Sequence, residues 1–103
     1  MLAHSCFFSL HDNSAASIQK LVDACKKYLP NHPGILHFSV GTLNPDLDRP
    51  VNDVDFDVAL HIFFDNKASH DAYQVSPDHQ EFIHQSKPNW HIVRVFDADV
   101  ESK

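Results

Sequence analysis

Hydrophobic and polar positions change period several times along the chain, and each change marks an element. Residues 3 to 10, AHSCFFSL, form a short aromatic-rich run closed by His11-Asp12-Asn13-Ser14, which is turn and helix-cap chemistry, so a first strand is predicted here. From Ser14 the period becomes helical. Ala15, Ile18, Leu21, Val22, Cys25, Tyr28 and Leu29 recur on one face, while Gln19, Lys20, Asp23, Lys26 and Lys27 fall elsewhere. Lys26 and Lys27 suit the negative end of the helix dipole, and Pro30, Pro33 and Gly34 stop the element.

Ile35 to Leu43 reads as a second strand, and residues 44–53, NPDLDRPVND, are too polar and too broken by proline for a regular element. Asp55 to Phe64 is the strongest strand signal. Phe56, Val58, Leu60, Ile62 and Phe64 share one side and Asp57, Ala59, His61 and Phe63 the other, so both sides are partly apolar. Asp65-Asn66 can cap a helix from about Lys67 to Val75, and Ser76-Pro77 starts a second short one, Asp78 to Gln85. Lys87-Pro88-Asn89 ends it, Trp90 to Phe96 alternates as a last strand, and the charged residues 97–103 read as a frayed tail.

This order predicts one α+β domain over residues 1–103, an antiparallel four-stranded sheet with its helices on one face. The other face is then bare, yet the third strand carries apolar side chains on both sides. A second copy of the chain, related by a two-fold axis, is the simplest cover for such a patch.

Composition narrows the function classes. With 43% hydrophobic and 21% charged residues the chain has the material for a packed core. A net charge of −6, with no basic cluster beyond Lys26-Lys27, argues against nucleic acid as a partner. Nine His reverse the sign in acid: 8 + 9 − 14 gives +3 when all are protonated. No apolar run approaches the ~20 residues of a membrane helix and no cationic segment leads into an apolar one, so a cytoplasmic location without membrane contact is expected. Cys6 and Cys25 have no metal-type or redox-type spacing and are expected as free core thiols.

Four segments in order, PNHPGI (30–35), FDVALHIFF (56–64), AYQVSPDHQEF (72–82) and WHIVRVFD (90–97), resemble the stress-responsive A/B barrel domain across essentially the whole chain. The resemblance implies a ferredoxin-like βαββαβ fold, with an extra short helix before the last strand, that pairs two sheets face to face as a dimeric α/β barrel. It implies a homodimer concerned with small-molecule binding, assembly or stress protection. Some relatives are cofactor-free enzymes instead, polyketide cyclases or small monooxygenases, and no cofactor is expected.

The cyclase-type residues of that family map onto His4 at the first strand and onto Tyr73 and His79 around the turn between the last two helical segments. A further pocket His of that pattern falls near Asp57, where this sequence departs from it. Imidazole titrates near neutrality and can take an acidic α-proton, while a Tyr hydroxyl can hold the enolate oxygen. Asp57 and His61, four residues apart on one side of the third strand, are weaker ligand-binding candidates. The other His show no HxH, HxxxH or HExxH pairing, so no metal site is expected from spacing. Loop 44–53 reads as a lid, an arm reaching across the dimer, or a plain surface excursion. Trp90 reads as an anchor, and Phe7, Phe8, Phe38, Phe63 and Phe64 as core or dimer interface.

Overall fold

A computed structural model describes all residues, Met1–Lys103. The elements follow the order β1 (Leu2–Leu10), α1 (Ala15–Tyr28), β2 (Ile35–Thr42), β3 (Val58–Phe64), α2 (Lys67–Gln74), α3 (Pro77–Ser86) and, after a 3-10 turn at Lys87–Asn89, β4 (Trp90–Asp99). The sheet runs β2-β3-β1-β4 with every neighbour antiparallel. Its extents of 34 × 33 × 17 Å leave room for one helix layer on one sheet and nothing on the sheet's far side. No helix is long and apolar enough to cross a membrane.

Local chemistry places the elements. Ser14 caps α1 by accepting from Ser17 N, and Asp12 accepts from Ser14 N and Ser17 Oγ in turn. Asn66 and Ser76 cap α2 and α3 in the same way, through Ser69 N and His79 N. Gly34, at φ 87°, makes the turn into β2; a Cβ there would sit 2.2 Å from Ser69 Oγ and 2.6 Å from Asp65 Oδ1, so only glycine lets this turn press against the start of α2.

The core lies between the helices and one face of the sheet. Cys6, Phe8 and Leu10 of β1, Val58, Leu60, Ile62 and Phe64 of β3, Leu21, Val22, Cys25 and Leu29 from α1 and its end, and Tyr73 and Phe82 are all buried. Phe8 and Phe64 are therefore core, and Phe38 of β2 packs at its edge. Alternation sends Phe7, His61 and Phe63 to the opposite face, where Phe7 lies 5.0 Å from Phe56 and 5.9 Å from Phe96 by ring centroids.

Two boundaries differ from the sequence reading. The third strand begins at Val58 rather than Asp55, because Asp57 turns its carboxylate to accept from Leu10 N at 2.8 Å. Residues 97–99 are not a frayed tail: β4 continues to Asp99 because Asp97 pairs with His4 across the ladder, and Val100 N then donates to Met1 O at 2.9 Å.

Candidate functional site

β1 sends His4, Cys6, Phe8 and Leu10 toward the helices, and β4 answers with Val93, Val95 and Asp97 on the same side, His4 standing directly opposite Asp97. The helices pack mainly against β2 and β3 and leave β4 largely uncovered, so Val95 is 49% exposed although it faces the helix layer. The gap between β4 and the α2–α3 corner is a cavity of about 400 Å³. His4, Cys6, His70, Tyr73, Gln74, His79, Phe82, Trp90 and Asp97 are among its walls, and no Lys or Arg is.

His4 is held from both sides. Its Nδ1 lies 2.5 Å from Asp97 Oδ1, and since a carboxylate only accepts, Nδ1 carries the hydrogen and donates it. Nε2 is then the acceptor, and Cys6 Sγ lies 3.3 Å from it. Asp97 itself sits at the cavity mouth, its side chain 42% exposed.

Tyr73 comes from α2 and is only 2% exposed. Its ring centroid is 6.1 Å from that of His4, 5.1 Å from His32, 5.1 Å from Phe64 and 4.7 Å from His79. Burial pushes its hydroxyl far above the ordinary phenol range, so it stays protonated and is a donor. His79 occupies the first turn of α3, where the Ser76 cap fixes its backbone. His32 steadies that cap: it donates from Nδ1 to Leu29 O at 2.9 Å, which leaves Nε2, 2.8 Å from Ser76 Oγ, to accept.

The His79 ring is 8% exposed and its Nδ1 has no hydrogen-bond partner in the protein. Burial first, then the neighbouring His4, His32 and His70, lowers its pKa from 6.5 to about 4. The ring is neutral at pH 7. A base whose folded pKa is lowered binds fewer protons folded than unfolded, so its contribution to stability is complete above about pH 6.5 and is lost as pH falls toward about 4. The cavity's opening to solvent holds the expected loss to about 2 kcal/mol. Denaturant titrations across that window should show it in the wild type and a flatter slope in His79→Gln; equal slopes would mean that His79 is not the group.

The three family-derived candidates, His4, Tyr73 and His79, thus line one cavity. Asp57 and His61 do not. Asp57 is committed to Leu10 N, and His61 lies on the open sheet face with its Nδ1 3.0 Å from Ser5 Oγ. Asp97, Cys6 and His70 were not among the candidates. Asp97 continues the alternation of Val93 and Val95, Cys6 follows His4 at i+2, and His70 precedes Tyr73 by one helical turn; each relation is visible in the sequence once the neighbour is known.

His4, His70 and Asp97 also bring three potential ligand atoms within 4.8 Å of one another, a grouping from three elements that residue spacing cannot reveal. The spread is wide for a metal's coordination sphere, and His4 Nδ1 already donates its hydrogen to Asp97, so we read the group as a hydrogen-bonded dyad with a neighbouring imidazole. A second cavity of about 420 Å³ lies between α1 and α3. Its Lys20 and Asp12 are exposed, and Asp12 is occupied by Ser14 and Ser17.

Loop 44–53 has no helix or strand. Its end is pinned to β4, where Arg94 donates to the Asp53 carboxylate and to Asp55 O, and this pairing holds the Asp53 carboxyl below its usual range.

Solved structures place this arrangement in a known fold. A Dabb family protein with a ferredoxin-like fold from Mesorhizobium loti superposes with a TM-score of 0.77 at 20% identity, covering 98% of this chain and 97% of that one. A dimeric ferredoxin-like protein of unknown function from Thermobifida fusca gives 0.78 at 18% identity, over 96% and 90%. A hydroxynitrile lyase from Passiflora edulis gives 0.78 at 18% identity, over 99% and 94%. No curated protein matches the chain. The pattern of the stress responsive A/B barrel domain matches residues 2–100, and on that match, with four antiparallel strands under one helix layer, the chain belongs to the stress-responsive A/B barrel family.

Proposed function

We propose that the protein is a homodimer whose cavity binds a small neutral carbonyl compound and moves a proton on it without a cofactor. The observation that carries this reading is His79: a neutral, nearly buried imidazole with an unpartnered Nδ1, 4.7 Å ring to ring from a protonated tyrosine, in a cavity the size of a small organic molecule. A neutral imidazole has a lone pair for an acidic α C–H. The Tyr73 hydroxyl can donate to the carbonyl oxygen as negative charge gathers there, and its high pKa keeps it a donor throughout. His4, oriented by Asp97, forms the third polar wall.

The mostly apolar lining and the absence of Lys or Arg favour a neutral, partly aromatic ligand over a phosphate or free carboxylate. That a hydroxynitrile lyase shares the fold shows that this scaffold can carry an enzyme; the residues above supply the argument for this chain. The dimer rests on the open sheet face with its exposed Phe96 and Ile92, and on neighbours described as dimeric.

The test is hydrogen–deuterium exchange at the acidic carbon of an aryl β-diketone, followed by proton NMR. The wild type should accelerate exchange and His79→Gln should lose about 100-fold of it. Exchange in the wild type no faster than in His79→Gln would remove the catalytic reading.

A further inference from the structure

The cavity holds a group that this proton transfer does not use. Cys6 follows His4 by two residues on β1, so both side chains face the helix layer. The Cys6 thiol is 3.3 Å from His4 Nε2, and His4 Nδ1 donates to Asp97 at 2.5 Å. Thiol, imidazole and carboxylate therefore stand in the order of nucleophile, base and orienting acid. Cys25 is the contrast within the same protein: it is 0% exposed, lies on α1 and lines none of these walls.

A second observation points to a ligand beside Cys6. His79 Nδ1 and Trp90 Nε1 are buried without partners, and both residues line the cavity that Cys6 lines. Two polar groups at one cavity, neither met by a protein atom, are what a bound molecule or water would satisfy. The walls offer it imidazole, carboxylate and aromatic surface but no cation, which selects neutral compounds.

We propose that Cys6 is a covalent capture site for neutral α,β-unsaturated carbonyl compounds entering this cavity, with His4 as its base and Asp97 as the positioning residue for His4. The thiol proton passes to His4 Nε2 as sulfur bonds to the β-carbon. The electron pair of the C=C bond moves onto the carbonyl oxygen as an enolate, and His4 returns the proton to the α-carbon. The net change is addition of S–H across the double bond, with no oxidant or reductant. Asp97 stabilises the imidazolium that exists between the two proton moves. Burial pushes the resting thiol up to about 12, so the proton leaves only with the electrophile in place, and Cys6 is silent toward charged reagents in bulk water.

The proposal is independent of turnover, since its product is an adduct weighed on the protein. Folded protein at neutral pH is treated with N-ethylmaleimide, a small neutral acceptor, and followed by intact mass and peptide mapping. A single adduct on Cys6 is expected, at a rate unchanged in Cys25→Ser, about 100-fold lower in His4→Gln and about tenfold lower in Asp97→Asn. The anionic reagent iodoacetate should be far slower than the maleimide. The proposal is overturned if Cys6 reacts only in denaturant, if Cys6 and Cys25 react at equal rates, which would report global opening, or if His4→Gln reacts as fast as wild type. Protection of Cys25 in His4→Gln and in Asp97→Asn checks that each is folded, and the helical circular dichroism does so for Cys25→Ser.

Discussion

Phe96→Asp should turn the protein from a dimer into a monomer in analytical ultracentrifugation at micromolar concentration. Phe96 is 56% exposed on the open face of β4, Ile92 at 43% lies four residues back on the same face, and Phe7, Phe56 and Phe63 extend the apolar surface inward. The one cation among them, Arg94, is already neutralised by Asp53. The polar side chains on this face are themselves paired, His61 with Ser5 and His37 with Ser39, and a two-fold partner would present the same surface back to it. Under that symmetry one substitution buries two carboxylates, each costing several kcal/mol when removed from water without a partner. The dissociation constant should rise at least about a thousandfold. The helix layer is untouched by the change, so the helical circular dichroism of the monomer should remain. A dimer of unchanged affinity would show that the open face is not the interface.

Legibility in the sequence followed the range of the interactions. Residues 58–64 betrayed both the core and the open face because alternation is local: Val58, Leu60, Ile62 and Phe64 are buried, and Ala59, His61 and Phe63 are half-buried opposite. Cap chemistry located α1, α2 and α3 for the same reason, since Ser14, Asn66 and Ser76 each bond a backbone N–H three residues on. The end of β4 was misread because a charged stretch looks like a tail until its partner is known. His4 is that partner, 93 residues away. Asp57 misled for a related reason. In sequence it shares a strand face with His61, but the strand starts after it, and its carboxylate serves the backbone of Leu10 instead.

The site was legible only through family resemblance. Neither composition nor period brings β1, α2 and α3 to one point, whereas an ordered set of motifs carries the spatial arrangement with it. Even so the resemblance supplied identities and not environment. That His79 is neutral, that Tyr73 is fully enclosed and that Asp97 holds His4 are consequences of burial and register, which no spacing encodes.

Tyr73 offers the sharpest separation of fold from chemistry. Tyr73→Ala should cost about 4 kcal/mol, because it empties a site 2% exposed and packed by Phe64, His4, His32 and His79, and the cavity it leaves would merge with the pocket. Tyr73→Phe keeps every ring contact and removes only the oxygen. Its stability in urea should stay within about 1 kcal/mol of wild type, while carbon-acid exchange should fall about 100-fold, since the Tyr73 ring is the one packed directly on His79, 4.7 Å away by centroids. The two variants bracket the alternatives. If Tyr73→Phe kept full exchange activity, the tyrosine would be core filling whose hydroxyl happens to reach the pocket, and the proton-transfer reading would rest on His79 alone. If Tyr73→Phe were as unstable as Tyr73→Ala, the hydroxyl would be a structural hydrogen-bond donor and the loss of activity uninformative. A stable, folded and inactive Tyr73→Phe is the result the geometry requires, because ring packing and not the hydroxyl holds this side chain in place.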